Sequence, residues 1–435
     1  MTNNTQKTKK IYPLLLGTGI FSFLVTIIYF AVGGGKHAGI PFVLTFVIMA
    51  FYSRGSSKLK GMAFTFWVFA FLVSAMYFPW IFTNWGFNTK VIVIPMLQLI
   101  MFGMGTKLSI ADFVKEFSRP KGIIIGTVMV FTIMPVLGVL VAKLFNFPPE
   151  IAVGVILIGS CPGGAASNVM AFLARGNVAL SVSVTTLATL LTPIVTPALM
   201  KLFAGALLEV SFLKMMMSSF NLIIVPISAG LICNKILYGK ADWLKKPAPV
   251  VGIGILAFAL TAATIPAVFP ASITVLKPGF ILGLSLTGIV SITKVIVAAV
   301  HGPDEWMNKI LPRVSMFSIL LFVTIVVALN RDKLLVVGLM LVAASALHNL
   351  LGYIIGYWGS RAIGLSKRDS RTLSIEVALK NGGLGMGLAI EALGSQNAAL
   401  APIVFGKWMN ISGSALANYW RGRPTGEPDE EVETS

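Results

Sequence analysis

Charge is scarce in this 435-residue chain, and negative charge scarcest: 16 Asp and Glu stand against 34 Lys and Arg. The histidines, His37, His301 and His348, are too scattered for a cluster. Paired acids, a Ser/His/Asp set and a metal-ligand spacing are all missing, so an integral membrane enzyme, the reading from a different class, finds no support. The two cysteines, Cys161 and Cys233, make no disulfide framework, and Cys-Pro-Gly-Gly is not a metal spacing. No glycine-rich loop follows a strand, so neither ATP nor any organic cofactor is implied.

What is present is apolar sequence. At 56% hydrophobic and a mean hydropathy of +0.87, the chain is outside the range of soluble globules. Apolar runs of about 20 residues separated by short basic loops describe an all-α polytopic membrane protein. The net charge of +18 does not point to nucleic acid, because the basic residues alternate with the apolar spans. About fourteen transmembrane helices can be drawn. The first, from Ile11 to Val32, is longer than the apolar core of a signal peptide. Lys and Arg favour one side of these spans by roughly three to one, which puts both termini in the cytoplasm of a multi-pass inner-membrane protein. The tail, residues 422–435, is acidic and reads as disordered.

Polar residues inside apolar spans carry the functional signal. In RTLSIEVALKNGGLGMGLAI, Arg371 to Ile390, Glu376 and Lys380 read as one helical turn apart, ahead of a break at Asn381-Gly382-Gly383. Each charge costs about 2.5–3.5 kcal/mol in a membrane helix even on insertion scales. At ~4 Å and an effective dielectric of ~20, attraction within the pair is worth ~4 kcal/mol. The freed backbone must line a protein-enclosed or watery cavity. The alternative is a structural salt bridge beside a kink.

The break has a counterpart. Cys161-Pro162-Gly163-Gly164 is followed by Asn177-Val178-Ala179-Leu180, much as Lys380-Asn381-Gly382-Gly383 is followed by Asn397-Ala398-Ala399-Leu400. An even division of the spans leaves an odd number per half, so the halves are inverted repeats with two broken, crossing helices, a signature of secondary transporters. After the first break come Ser167 and Asn168, and on one face of the next helix Ser181 and Thr185. Hydroxyl and amide oxygens with the single carboxylate of Glu376 suit a small alkali cation. Taken singly, such hydroxyls more often bond backbone carbonyls.

CPGGAASNVMAFLARGNVALSVSVTT, GMGTKLSIADF, ALHNLLGYIIGYW, SIEVALKNGGL and WMNISGSALANYW resemble the bile acid:sodium symporter family over 61–237 and 305–420. The resemblance implies a core domain and a panel domain, with the fourth and ninth helices broken and crossing, and sodium-driven movement of an organic anion. Carried over by position, Ser167, Asn168, Ser181, Thr185 and Glu376 hold Na+. Gly164, Ala165, Ala166, Asn381, Gly382, Met409 and Asn410 contact substrate. The family's second sodium site, which resembles Glu376, the Val377 and Leu379 carbonyls and two glutamines, is altered: Lys380 and Val130 occupy the glutamine positions. Lys380 then stands in for the second sodium as a tethered cation. A second reading makes it a proton carrier, in a proton-coupled carrier or a cation/proton antiporter.

Segments without a match are an N-terminal pair of spans in 1–60 and an inserted pair in 238–304. On this reading 61–237 holds the first half plus the opening helix of the second, and 305–421 the remainder. Both extra pairs are expected on the panel side, as a homodimer surface in contact with membrane lipid. Lys294 in the insertion has no assigned role, and Lys407 faces either the pocket or an interface.

Overall fold

The computed structural model describes residues 2–55, 62–107, 120–239, 241–303, 306–423 and 425–426. The stretch from Leu108 within GMGTKLSIADF, the basic residues Lys58, Lys60, Lys115, Arg119 and Lys240, and the tail from residue 427 lie outside them.

The described residues are helical, without a strand. In chain order the helices are α1 (Thr2–Ala31), α2 (Gly39–Gly55), α3 (Ala63–Tyr77) and α4 (Lys90–Gly105). Next are α5 (Pro120–Leu144), α6 (Pro149–Ser160), α7 (Ala165–Leu173), α8 (Val178–Ala204) and α9 (Phe212–Tyr238). The insertion supplies α10 (Pro247–Thr264) and α11 (Lys277–Ala299). Then come α12 (Trp306–Leu329), α13 (Arg331–Ala362), α14 (Lys367–Ala378), α15 (Gly382–Glu391) and α16 (Gln396–Arg421). Nine described helices are long and apolar enough to cross a membrane, and α4 and α6 are among the shorter apolar ones. The count differs from fourteen partly because two spans are divided: 151–174 into α6 and α7, and 370–393 into α14 and α15.

Two compact units are present. One comprises Met1–Val93 and Met316–Leu334. Its helices α1–α3 meet through aromatic side chains, such as Phe46 stacked on Phe69 at 5.2 Å and Phe51 edge-on to Trp67. Arg331 donates from Nε to the Met76 carbonyl at 2.5 Å.

The second unit, Ile94–Ser315 and Leu335–Ser435, contains both broken helices. Small residues let backbones touch there, as is common in membrane helix packing. A Cβ on Gly154 would lie 2.2 Å from the Ala398 carbonyl oxygen, and one on Gly159 2.5 Å from that of Met134. α6 is therefore wedged directly between α5 and α16. The insertion packs on α9, α4 and α12 through a cluster including Phe102, Cys233, Val290 and Met307. Its Lys294 is accounted for: the ammonium donates to the carbonyls of Ile236 (2.5 Å), at the C-terminal end of α9, and of Leu244 (3.1 Å), in the short turn after it.

Candidate functional site

The two breaks meet. Gly163 and Lys380 form an isolated antiparallel bridge. Asn381 N–H donates to the Pro162 carbonyl at 2.9 Å, and Gly164 N–H to that of Leu379 at 3.4 Å. Each break thus supplies backbone partners to the other, which answers the cost of unpaired backbone where water is excluded. The local sequence explains the geometry. Cys161, Gly164 and Leu379 have extended dihedrals, and Asn381 caps α15 by accepting from Leu384 N–H at 3.1 Å.

The five expected cation ligands converge beside this crossing. Ser181 Oγ donates to Glu376 Oε1, and Thr185 Oγ1 to Glu376 Oε2 at 2.7 Å. Asn168 Oδ1 lies 2.8 Å from Ser181 Oγ and 3.3 Å from Thr185 Oγ1. Ser167 Oγ is 3.3 Å from Thr185 Oγ1 while contacting the Gly164 carbonyl at 2.7 Å. Ser167, Ser181 and Glu376 are fully buried. Each hydroxyl has one proton. With Ser167 donating to Gly164 and the other two to the carboxylate, the cluster carries more oxygen lone pairs than protons to fill them. The lone pairs left over are acceptors open to a cation or to a further donor.

Lys380 departs from expectation. α14 ends at Ala378, so Lys380 belongs to the extended bridge and not to the helix carrying Glu376. The ion pairs among the described residues are Lys245–Asp242 and Arg331–Asp332; Lys380 and Glu376 do not form one. The fully buried Lys380 ammonium donates instead to the carbonyls of Val130 (2.7 Å) and Cys161 (3.1 Å). The expected ~4 Å pair is therefore replaced by backbone solvation. Valine does supply an oxygen here, from its main chain. Cys161 has left the helix, and Pro135 inside α5 leaves the carbonyl of Phe131, next to Val130, without its helical donor.

The expected substrate residues do not all face the same way. Gly164, Ala165 and Ala166 start α7, with Ala165 exposed; Asn381 and Gly382 start α15. Asn410 is exposed and donates to the Gly406 carbonyl at 3.0 Å. Met409 points inward: it is 6% exposed and its sulfur takes the Lys380 N–H at 3.2 Å. In this structure it supports the break rather than lining an open surface. Lys407 is half-buried on α16. His348 is a core histidine, with Nε2 2.9 Å from the Met134 carbonyl and its ring edge-on to Phe405.

Sequence reading missed the ties that lock the halves together. Asn177 Nδ2 donates to Asp369 at 2.8 Å, and Asn397 Nδ2 donates to Glu150. In both, the Asn that opens the helix after a broken pair holds an acid in the first turn of the other repeat's leading half-helix, where the helix dipole favours negative charge. Each acid's first-turn position was the available signal. Asn349, overlooked as well, donates to the Ala378 carbonyl at 2.9 Å and so serves the broken end of α14.

The profile of the Sodium Bile acid symporter family matches residues 94–278. An uncharacterized sodium-dependent transporter of Bacillus subtilis, YocS, is 36% identical over 84% of this chain and 93% of its own length. The chain belongs to the sodium bile acid symporter family. As a family member it is a secondary transporter, not an enzyme, and a multi-pass membrane protein. The probable sodium/metabolite cotransporter BASS1 of Arabidopsis thaliana chloroplasts is 29% identical over 79% of this chain and 68% of that protein. The human ileal sodium/bile acid cotransporter is 33% identical over 40% of this chain and 49% of its own. Among solved structures, the sodium proton antiporter MjNhaP1 from Methanocaldococcus jannaschii aligns with 95% of this chain and 98% of its own at 14% identity, with a TM-score of 0.43. The symporter profile begins at residue 94 and runs through α10, which sequence reading placed in an insertion.

Proposed function

We propose that this transporter carries a small organic anion together with one sodium ion, and that Lys380 supplies the second positive charge. The carrying observation is the convergence of Ser167, Asn168, Ser181 and Thr185 on the buried carboxylate of Glu376. Oxygen ligands without sulfur or imidazole suit a hard alkali cation. The sodium-dependent relatives support the choice of ion. The anion docks where α7 and α15 begin, since unfilled N–H groups and the helix dipoles favour negative charge there. Asn381 and Asn410 are its polar contacts.

Lys380 is the tethered cation. Its ammonium rests on two main-chain oxygens, the type of ligand an alkali ion takes, and cannot leave. One mobile sodium with a monovalent anion makes transport electroneutral. A tenfold sodium gradient then supports about tenfold accumulation, since ~1.4 kcal/mol is available. The protein sits in the inner membrane with both termini in the cytoplasm.

Proton coupling is favoured by one observation, the lack of a carboxylate partner for the buried Lys380. Uptake into proteoliposomes decides between the readings. The sodium reading requires uptake of a small carboxylate that rises with an inward sodium gradient, follows a Hill coefficient of about one and ignores membrane potential. Uptake driven equally well by a proton gradient without sodium would end it.

A further inference from the structure

Lys407 is a charge without a partner near the middle of a long helix. It follows Gln396, the first residue of α16, by about 17 Å and precedes Arg421, the last, by about 21 Å at 1.5 Å per residue. A four-carbon stem does not carry an ammonium from there to either membrane interface. Among the described residues no carboxylate lies within ion-pair distance of Lys407, and no hydrogen bond satisfies it. The side chain is half-buried, and its ammonium is not one of the sealed polar atoms that lack a partner, such as Arg371 Nε. The charge therefore opens onto accessible space. Holding it at this depth is costly unless something answers it.

What Lys407 opens toward is set by its neighbours on α16. One residue before it, a Cβ on Gly406 would lie 3.6 Å from Gly382, where α15 begins. Two residues after it, the Met409 sulfur takes the N–H of Lys380, which is bridged to Gly163. Lys407, Asn410 and Ser414 share one helix face at three- and four-residue spacing. Ser414 Oγ donates to the Met170 sulfur at 3.7 Å, which ties that face to α7. α7 and α16 thus advance side by side from the crossing, and the opening turn of α7 stands level with Lys407 and Asn410. Gly164 gives that turn no side-chain cap, whereas Asn381 caps α15 and Asn177 caps α8. The unfilled N–H groups of α7 and an ammonium therefore serve one place, with Ala165 and Asn410 exposed beside it.

We propose that Lys407 binds the carboxylate of the transported substrate, a small monocarboxylate, and so makes the carrier select acids over neutral molecules of the same shape. The inference rests on docking of the anion where α7 and α15 begin, and not on the ion assigned to Glu376. One ammonium and one uncapped helix end match one negative charge: the amides take a carboxylate oxygen and the lysine supplies the counter-charge. The two lysines of the region then differ in kind. Lys380 is sealed and directs its protons to main-chain oxygens, whereas Lys407 keeps its donors for a ligand.

The test uses the full chain, in detergent for thermal unfolding and in proteoliposomes for uptake. Lactate, pyruvate and butyrate are the probes, with lactamide as the neutral control. The acids should raise the Tm of the native protein and be taken up by it, and lactamide should do neither. K407Q should weaken the response to the acids about tenfold or more, the usual worth of a hydrogen bond to a charged group, while K407R keeps most of it. A sodium-induced thermal shift that persists in both variants shows that they are folded. If sodium shifts none of these proteins while the acids still depend on Lys407, the sodium reading fails and this one stands. K407C gives a second readout. Its uptake should be lost, then restored when aminoethyl methanethiosulfonate attaches a new ammonium to the thiol, but not by the neutral methyl reagent. The native Cys161 and Cys233 are buried, so the unaltered chain is the unreactive control. An equal response to the acids in K407Q and the native chain, indifference of the native chain to all three acids, or no rescue of K407C by the charged reagent overturns the proposal.

Discussion

Lys380 gives its ammonium to the carbonyl of Val130, 2.7 Å away, and not to Glu376. The consequence is a division of labour at the crossing. Glu376 accepts from the hydroxyls of Ser181 and Thr185 on α8, while the lysine donates to main-chain acceptors on α5 and at the first break. The two sides of the bridge therefore hold separate ionisable groups, the Glu376 carboxyl and the Lys380 amine.

Replacing Lys380 by Gln tests that division directly. The fixed cation is lost and an amide oxygen is restored, so a second sodium should be needed. In proteoliposomes the Hill coefficient for sodium should move from about one toward two, and uptake should become sensitive to membrane potential. Unchanged stoichiometry with lost pH dependence would instead identify Lys380 as a proton carrier.

Thr185→Val keeps shape and removes one oxygen. A hydrogen bond to a charged group is worth about 1.5–3 kcal/mol. Sodium affinity, read by thermal shift across a sodium titration, should therefore fall about tenfold or more. Glu376→Gln should abolish the shift. An unaltered sodium response in Glu376→Gln would remove this carboxylate from the site.

Two glycines are expected to fail differently. A Cβ on Gly163 would come within 2.8 Å of Glu376 Oε2, so Gly163→Ala should weaken sodium binding with little loss of stability. Gly154→Ala drives a Cβ to 2.2 Å from the Ala398 carbonyl, where backbone must move. It should lower stability by about 1–3 kcal/mol, the usual penalty for overpacking. Parallel measurements of Tm and sodium titration separate the two.

Asn397→Ala and Asn177→Ala each leave an acid in a half-helix's first turn without its amide partner. Stability should drop by about 0.5–1.5 kcal/mol in each, the net worth of a hydrogen bond, because both acids are only half-buried. Asn221→Ala belongs with them. This residue sits in a π-helical turn, Phe220–Ile224, receives the Gln98 amide and Gly279 N–H, and donates to Glu391 at 2.6 Å. Its loss strands a carboxylate that already has one oxygen unpartnered. Unfolding monitored in detergent should show all three below the native Tm, with sodium still stabilising each.

Much of this was written in local sequence. Membrane insertion follows from apolar run length, because backbone in lipid is satisfied only by helix. The two breaks follow from Pro162-Gly163-Gly164, where proline lacks a donor and glycine weakens helix, and from Asn381-Gly382-Gly383, where Asn381 caps a new helix. Their chemical partners were foreseeable too, since Ser181 and Thr185 must share a helix face. Where Lys380 sends its charge was not. Counting four residues from Glu376 assumes continuous helix, and the helix stops at Ala378; only the packing of α5 against the break reveals Val130's main-chain oxygen. Backbone carbonyls carry no sequence label. The ties from Asn177 to Asp369 and from Asn397 to Glu150 likewise join positions far apart in the chain. Sequence placed each residue on a helix, and tertiary packing alone chose its neighbour.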